Sequence, residues 1–159
     1  MNDLSQYEKS RSDAHAYFLS HKPIHSPVLN EYIHFTAEGF NHILYKGSRK
    51  ERDRESQQMR FKLLTRATKL IAISTTYQEY EERMKECVVK VKKTKVTKTK
   101  RIQYWGIIAI IDNRKIKVIV RKIGDNGQIH FWSIVPAWVT NKYRDTRFVS
   151  TMKGDPEED

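Results

Sequence analysis

The chain has 159 residues, with 30 Lys and Arg against 19 Asp and Glu, so its formal net charge is +11. This length fits one domain with tails, and the single cysteine, Cys87, excludes an intramolecular disulfide and a zinc site built from cysteines. The positive excess favours a polyanionic partner, nucleic acid first and an anionic membrane surface second, while a basic surface kept for solubility is the alternative.

No basic and apolar leader is found at the N-terminus, so no secretion signal is predicted. The longest wholly apolar run, Ile107 to Ile111, is far shorter than the roughly 20 residues that span a bilayer. We therefore expect a cytoplasmic protein that has no membrane partner.

Residues 1 to about 22 are predicted to form a helix or a partly ordered arm, because their apolar residues are only loosely periodic. Pro23 and Pro27 then indicate an extended linker that runs through Asn30. We therefore place residues 1–30 outside the main domain, which we expect to span residues 31–138.

Two helices are predicted inside the domain. The first is short and amphipathic, with Thr36 as N-cap, Glu38 suited to the helix dipole and Gly47 as C-cap. Residues 49–58 are expected to be a solvated loop or a helix start. The second helix begins near Met59 and carries a stripe of apolar residues at helical spacing: Leu63, Leu64, Ala67, Leu70 and Ile71. A break near Thr65 is expected, since Thr is a good N-cap.

The second half of the chain is predicted to be an antiparallel meander. Residues 77–84 are ambiguous between a helical turn and a loop, and the apolar period becomes two from Cys87 onward. Strands are predicted over 104–111, 116–123 and 128–135, and Asn126-Gly127 is a strong hairpin signal. Helices followed by a meander predict the α+β class.

Turns at Asn113-Arg114 and at Asn126-Gly127 would pair Gly106 with Arg121, Arg121 with Trp132, and Ile123 with His130. Directly paired residues share a face of the sheet. One face is then an apolar floor that only Lys122 and Ser133 interrupt, made of Ile107, Ala109, Ile111, Ile116, Val118, Val120, Phe131 and Val135. The other face carries five residues of interest among isoleucines: Gly106, Lys117, Arg121, His130 and Trp132.

Arg121 and His130 on one rigid surface suit the cleavage of RNA without a metal. That reaction needs a base for the ribose 2′-hydroxyl, an acid for the 5′ leaving oxygen and a cation for the charge on the phosphorus centre. Histidine titrates near neutral pH, and arginine can bind two phosphate oxygens at once. The alternatives are a strand histidine whose ring is hydrogen-bonded and a solvated sheet arginine.

His34 and His42 flank the short helix and are two more candidate proton carriers. His42 need not lie in the core, because it does not share a helical face with Phe40 or Ile43. Both could equally be ordinary surface histidines. No HExxH or cysteine-rich spacing exists, so we expect no metal site and no cofactor.

The stretch 90–101 is densely basic and predicts a phosphate track with strongly salt-dependent affinity. Its cations are Lys90, Lys92, Lys93, Lys95, Lys98, Lys100 and Arg101. The alternative is an edge strand that lysines protect against aggregation. Together with Lys117, Trp132 is a further candidate for nucleic-acid binding, since its indole could stack on an unpaired base.

After Pro136 the sequence becomes polar, and residues 139–159 are predicted to form a tail. Its last five residues, 155–159, are strongly acidic. This acidic tail could compete with RNA for the basic surface, or it could be a short disordered end.

Six segments between residues 31 and 138 resemble the phage-type nucleases of the barnase–EndoU–colicin–RelE superfamily. They are His34-Phe35-Thr36, His42-Ile43-Leu44, Arg60-Phe61-Lys62-Leu63-Leu64, Tyr104-Trp105-Gly106-Ile107-Ile108, Lys117-Val118-Ile119-Val120-Arg121-Lys122 and His130-Phe131-Trp132-Ser133-Ile134-Val135-Pro136. The last segment, placed after a Val-Ile-Val-Arg strand, is the most specific, while the histidine spacing is loose.

The resemblance implies N-terminal helices packed on a curved antiparallel sheet of about four strands. It also implies a metal-independent endoribonuclease, commonly a toxin in conflicts between phages or other mobile elements and their hosts. The catalytic residues that it implies are His34 or His42 beside the cleft, Arg60 from the long helix, and Arg121 and His130 on the sheet. Ser133 matches the family ending, but the predicted register places it on the core side.

Two other functions are consistent with the sequence. One is a non-catalytic nucleic-acid-binding module that uses the same basic stretch. The other is an interaction protein whose charge serves an acidic protein partner, such as an antitoxin or an immunity protein.

Overall fold

The computed structural model describes residues 3–47, 50–136, 150–152 and 154–159. Its elements are α1 (Asp3–Ser20), β1 (Ile24–Ser26), β2 (Glu31–Ile33), α2 (Ala37–Leu44), β3 (Tyr45–Lys46), β4 (Lys50–Glu51), α3 (Arg54–Ile73), β5 (Glu79–Val91), β6 (Thr94–Ile111), β7 (Arg114–Ile123), β8 (Ile129–Val135) and β9 (Ser150–Thr151). The helices pack on an antiparallel sheet, so the predicted α+β class is confirmed.

Helix α1 is part of the same core as the rest of the chain. Tyr7, Ala14 and Phe18 are buried with residues of α2, α3 and the sheet. The stretch predicted as a linker forms an antiparallel hairpin of β1 and β2, in which Ile24 pairs with Ile33. Helix α1, which lies within the residues that we placed outside the domain, therefore packs as part of the core of the domain.

Helix α2 lies directly against β8. A Cβ atom added at Gly39 would lie 2.3 Å from the carbonyl oxygen of Phe131, so this close approach requires a residue without a side chain. Thr36 is the N-cap, as predicted, and its hydroxyl accepts from the Gly39 amide. The predicted C-cap at Gly47 is wrong, because the helix ends at Leu44 and Tyr45 already pairs in an extended hairpin.

Helix α3 is longer than predicted and has no break. It begins after Asp53, whose carboxylate accepts from the Ser56 amide at 2.7 Å. Of the two alternatives for residues 49–58, the helix start is confirmed from Arg54 onward, while the predicted break at Thr65 is wrong. Thr65 is an exposed residue inside the helix, while the predicted apolar stripe is fully buried: Leu63, Leu64, Ala67, Leu70 and Ile71.

The main sheet has the strand order β8-β7-β6-β5-β9, in which the first four strands are antiparallel and β9 runs parallel to β5. Strand β5 begins at Glu79, inside the stretch that the sequence left ambiguous. The last pair between β6 and β7 joins Ile102 to Ile123. Beyond that pair, residues 84–101 form a two-stranded extension of β5 and β6, which we call the basic hairpin.

The registers of the meander differ from the prediction by two residues as far as Phe131 in β8, which leaves the residues of β6, β7 and the start of β8 on their predicted faces. The β6–β7 turn uses Asp112 and Asn113, both with positive φ, instead of Asn113 and Arg114. Arg121 pairs directly with His130 instead of Trp132. Because side chains alternate with a period of two, a shift of two residues changes partners and preserves faces.

A β-bulge in β8 does change the faces. Val120 pairs with Phe131 and Ile119 pairs with Ser133, so Trp132 is the extra residue. The predicted positions of Ser133, Ile134 and Val135 are therefore wrong: Ile134 joins the core under the helices, while Ser133 and Val135 lie on the face of Arg121.

The two faces of the sheet have different roles. The helix face carries the main core, whose strand residues include Ile107, Val118 and Phe131. The opposite face, which we call the site face, carries Arg121 and His130 above a smaller apolar cluster. Within the described part of the chain, no helix has both the length and the apolar character required to cross a bilayer.

Candidate active site

Arg121 and His130 form the centre of the site. The Arg121 Nε donates to His130 Nε2 at 3.0 Å, and both side chains are buried. The Arg121 Cζ lies 3.3 Å from the ring centroid of Trp132, so the guanidinium is stacked on the indole. Two residues of β8 thus hold the Arg121 guanidinium, His130 at its edge and Trp132 on its face.

His42 supports the stack from below. Its ring lies 4.0 Å from that of Trp132 and is nearly parallel to it. Although its helical position did not require burial, His42 is only 4% exposed. Burial, and then the charges of Arg52, Arg60 and Arg121, lower its pKa to about 2. The His42 imidazole is therefore neutral, and its stacking positions the Trp132 indole.

His130 is also neutral at physiological pH. Burial, and then the charge of Arg121, lower its pKa to about 4. His34 is half-buried, its backbone forms a parallel bridge to His130, and its charge also contributes to the lowered pKa. A neutral His130 can accept from Arg121 and hold the guanidinium in place.

These two histidines predict a loss of stability in mild acid. Below pH 6.5 the unfolded chain binds a proton at each imidazole, while folded His42 and His130 stay neutral down to about pH 2 and 4. Each should lower the free energy of unfolding by about 1.4 kcal/mol per pH unit between pH 6.5 and 4.5. Urea unfolding across this range should show a shallower dependence in His42→Gln; identical slopes in variant and wild type would contradict the assignment.

Glu38 lies on the outer side of Arg121. Its Oε2 is 3.2 Å from Arg121 Nη2, and its side chain is 68% exposed. It lines a cleft of about 550 Å³ with His42, Arg121 and Trp132, and a second cavity of about 410 Å³ with His130. A substrate in the cleft can therefore reach both the guanidinium and a solvated carboxylate.

Arg60 and Ser133 form a second polar centre on the same side. Arg60 Nη1 donates to Ser133 Oγ at 3.2 Å and to the carbonyl oxygen of Ile134 at 2.7 Å. Burial, and then the charge of Arg52, lower the pKa of Arg60 to about 9. The bulge at Trp132 brings Ser133 into reach of this guanidinium.

Four cationic side chains around the site are buried among the described residues: Arg52, Arg60, Lys117 and Arg121. Lys117, which we predicted at the nucleic-acid surface, has no exposed side chain and pairs with buried Glu79 at 3.0 Å. Trp132, also predicted there, is only 7% exposed. In the described conformation neither can contact RNA directly, because Met152 and Asp159 lie against Lys117 and the carbonyl oxygen of Pro156 accepts from the Trp132 indole.

The acidic tail is folded onto this site, and we call residues 155–159 the acidic segment. Glu157 Oε1 accepts from Arg121 Nη1 at 3.4 Å and from the hydroxyl of Tyr104. The carbonyl oxygen of Asp159 accepts from Arg60 Nη1 and from Ser133 Oγ, at 2.5 and 2.7 Å. The segment is therefore an ordered part of the site in this conformation.

The predicted basic stretch lies on the basic hairpin and divides between its two faces. Lys98 and Lys100 share the site face with Lys85, since Lys85 pairs with Lys100. Lys90, Lys95 and Arg101 occupy the opposite face, while Lys92 and Lys93 form the turn. Lys85 also lines the cleft that contains Arg121. A row of cations therefore leads along the site face into the cleft.

Comparisons with family models, curated proteins and solved structures found no match. The side chains of the site are therefore interpreted by their own chemistry. No group of three His, Cys, Asp or Glu side chains among the described residues is arranged to hold a metal ion.

Three contributors to the site were missed by sequence reasoning: Glu38, Arg52 and Glu157. Tyr104 also contributes, and its even position on β6 places it on the face of Gly106 and Arg121. Glu38 had a signal in the sequence, since it opens the helix that was expected to border the cleft. Arg52 and Glu157 reach the site only through tertiary packing, for which the sequence has no periodic signal.

Proposed function

We propose that this chain is an endoribonuclease that cleaves RNA by attack of a ribose 2′-hydroxyl on the adjacent phosphate. One observation carries the proposal: a buried, fixed guanidinium, Arg121, lies at the floor of a cleft into which a row of surface cations leads. A fixed cation lowers the barrier most when charge develops beside it, as on the phosphorus centre of this reaction.

Arg121 is the expected ligand of the scissile phosphate. Its Nε is occupied by His130, while Nη1 and Nη2 face acidic side chains and thus point toward positions where an anion is stable. Two such N–H groups can bind two phosphate oxygens. His130 acts as a positioning residue, since the hydrogen bond to its ring fixes the direction of the guanidinium.

Two side chains on the open side of Arg121 suit proton transfer. The carboxylate of Glu38 is solvated and lies within 3.2 Å of Arg121 Nη2, so it would lie beside a bound phosphate and could accept the 2′-hydroxyl proton. His34 is half-buried beside His130 and is the candidate acid for the 5′ oxygen. Arg60, farther along the same face, would bind a neighbouring phosphate.

The assay for this function uses purified protein and a labelled RNA in the presence of EDTA. The expected products carry 2′,3′-cyclic phosphate ends, because the 2′-oxygen becomes bonded to phosphorus as the 5′-oxygen leaves. A substrate with one 2′-deoxyribose at the cleavage site should resist cutting there. Binding without cleavage, in EDTA and in Mg²⁺, would instead support a non-catalytic RNA-binding module, and the absence of both would favour an acidic protein partner such as an antitoxin.

A further inference from the structure

The acidic segment contains four acids in five residues, and it covers the buried cations of the site. Its charges reach Arg121 through Glu157, Lys117 through Asp159 at 3.9 Å, and Arg83 through Asp155 at 2.9 Å. Burying a cation is costly unless an anion compensates for it. The buried cations of the site therefore favour an anion at the position that the acidic segment occupies.

The groups that receive the segment are typical of phosphate sites. Two donors, Arg121 Nη1 and the Tyr104 hydroxyl, converge on one oxygen of Glu157. Another two, Arg60 Nη1 and Ser133 Oγ, converge on the carbonyl oxygen of Asp159. Convergence of a guanidinium and a hydroxyl on one oxygen is also how proteins bind a phosphate oxygen.

The segment is held mainly by polar contacts. Pro156 is its only apolar residue; it is buried, and its carbonyl oxygen accepts from Trp132 Nε1 at 2.9 Å. Glu158 is exposed, and Asp155 makes its ion pair with the half-exposed Arg83. This exposed ion pair contributes little and is screened by salt. The remaining charge pairs of the segment, Glu157 with Arg121 and Asp159 with Lys117, are ones that a polyanion can replace at the same two cations.

We propose that Glu157 and Asp159 occupy the subsites of two backbone phosphates, so that RNA binds by displacing the acidic segment. The first subsite consists of Arg121 and Tyr104, and the second consists of Arg60 and Ser133, with Lys117 beneath them. The inference rests on the proposed function, because it assigns these subsites to the RNA that the site would cleave.

The test measures binding of a 2′-O-methyl RNA octanucleotide, which lacks the attacking hydroxyl and cannot be cut by this route. The double variant Glu157→Gln with Asp159→Asn should bind it about ten-fold or more tightly than the wild type, since the two carboxylates that pair with Arg121 and Lys117 and hold the segment in place are neutralised. The control, Glu8→Gln with Asp13→Asn, changes the net charge equally on the exposed side of α1 and should gain far less. Equal gains in both variants, or no gain in either, would overturn the proposal.

A second measurement follows the segment itself. In amide NMR spectra of the wild-type protein, the signals of Asp155, Glu157, Glu158 and Asp159 should move toward the positions of an unfolded chain when the octanucleotide is added. Signals that stay unchanged while the octanucleotide binds would overturn the subsites. If the variant binds more tightly and the segment is displaced, but unmodified RNA is not cleaved, the subsites are supported and the nuclease function is contradicted. If unmodified RNA is cleaved while the segment stays in place, the nuclease function is supported and the subsites are contradicted.

Discussion

An Arg121→Gln variant is expected to cleave RNA about 100- to 1,000-fold more slowly than the wild type, the usual cost of losing one preorganised donor to a developing charge. Glutamine can reach neither His130 nor a phosphate with two parallel N–H groups. Arg121→Lys should restore little activity, because a lysine carries the charge without the planar pair of donors.

The measurement is the initial rate of cleavage, with circular dichroism and thermal unfolding to verify the fold. Arg114→Gln removes the same charge from the exposed first residue of β7 and should remain near the wild-type rate. If Arg121→Gln keeps its fold and stays within about threefold of the wild type, Arg121 does not bind the scissile phosphate.

The second large effect is expected on RNA affinity and should depend on the face of the basic hairpin. Replacing the three site-face lysines, Lys85, Lys98 and Lys100, with glutamine should weaken RNA binding about ten-fold or more at moderate salt. The slope of log affinity against log salt should become shallower by about 2, because each phosphate contact to a single strand contributes about 0.7.

The matched control uses the other face of the same strands. Replacing Lys90, Lys95 and Arg101 with glutamine removes three equal charges, but these side chains point away from the cleft. Arg101 is also neutralised by Glu82 and Asp125, at 3.1 and 2.8 Å. This variant should lose much less affinity, and equal losses from the two faces would show that the hairpin acts only through its overall charge.

Part of the site could be predicted from the sequence because side chains alternate between the two faces along each strand. Both predicted turns were misplaced, yet Arg121 and His130 kept their common face, because the registers moved by two residues. The bulge at Trp132 moved the register by one and sent Ser133 to the other face. A bulge depends on how two strands fit together, so the alternation of one strand does not reveal it.

The burial of polar side chains was the second feature that could not be predicted from the sequence. His42 lies off the apolar stripe of a short helix, and only its stacking on Trp132 explains why it is buried. Lys117 was expected at the surface because charged residues are usually exposed, and the acidic tail was expected either to compete with RNA for the basic surface or to be a disordered end. Lys117 is instead buried, and the acidic segment is folded onto the site, through contacts between residues that lie far apart in the sequence.

The turn of the basic hairpin lies at the end of that hairpin that is remote from the cleft. Tyr104 lies ten residues after Thr94 in β6, a distance of roughly 33 Å at strand spacing. Inserting one residue in each strand beside Lys92 and Lys93 would lengthen the hairpin by about 3.3 Å while every pair nearer the cleft keeps its partner. The length of the basic hairpin can thus change independently of the site. Engineered variants with longer or shorter hairpins would contact a longer or shorter stretch of a bound RNA strand, while Arg121 and the residues around it keep their positions.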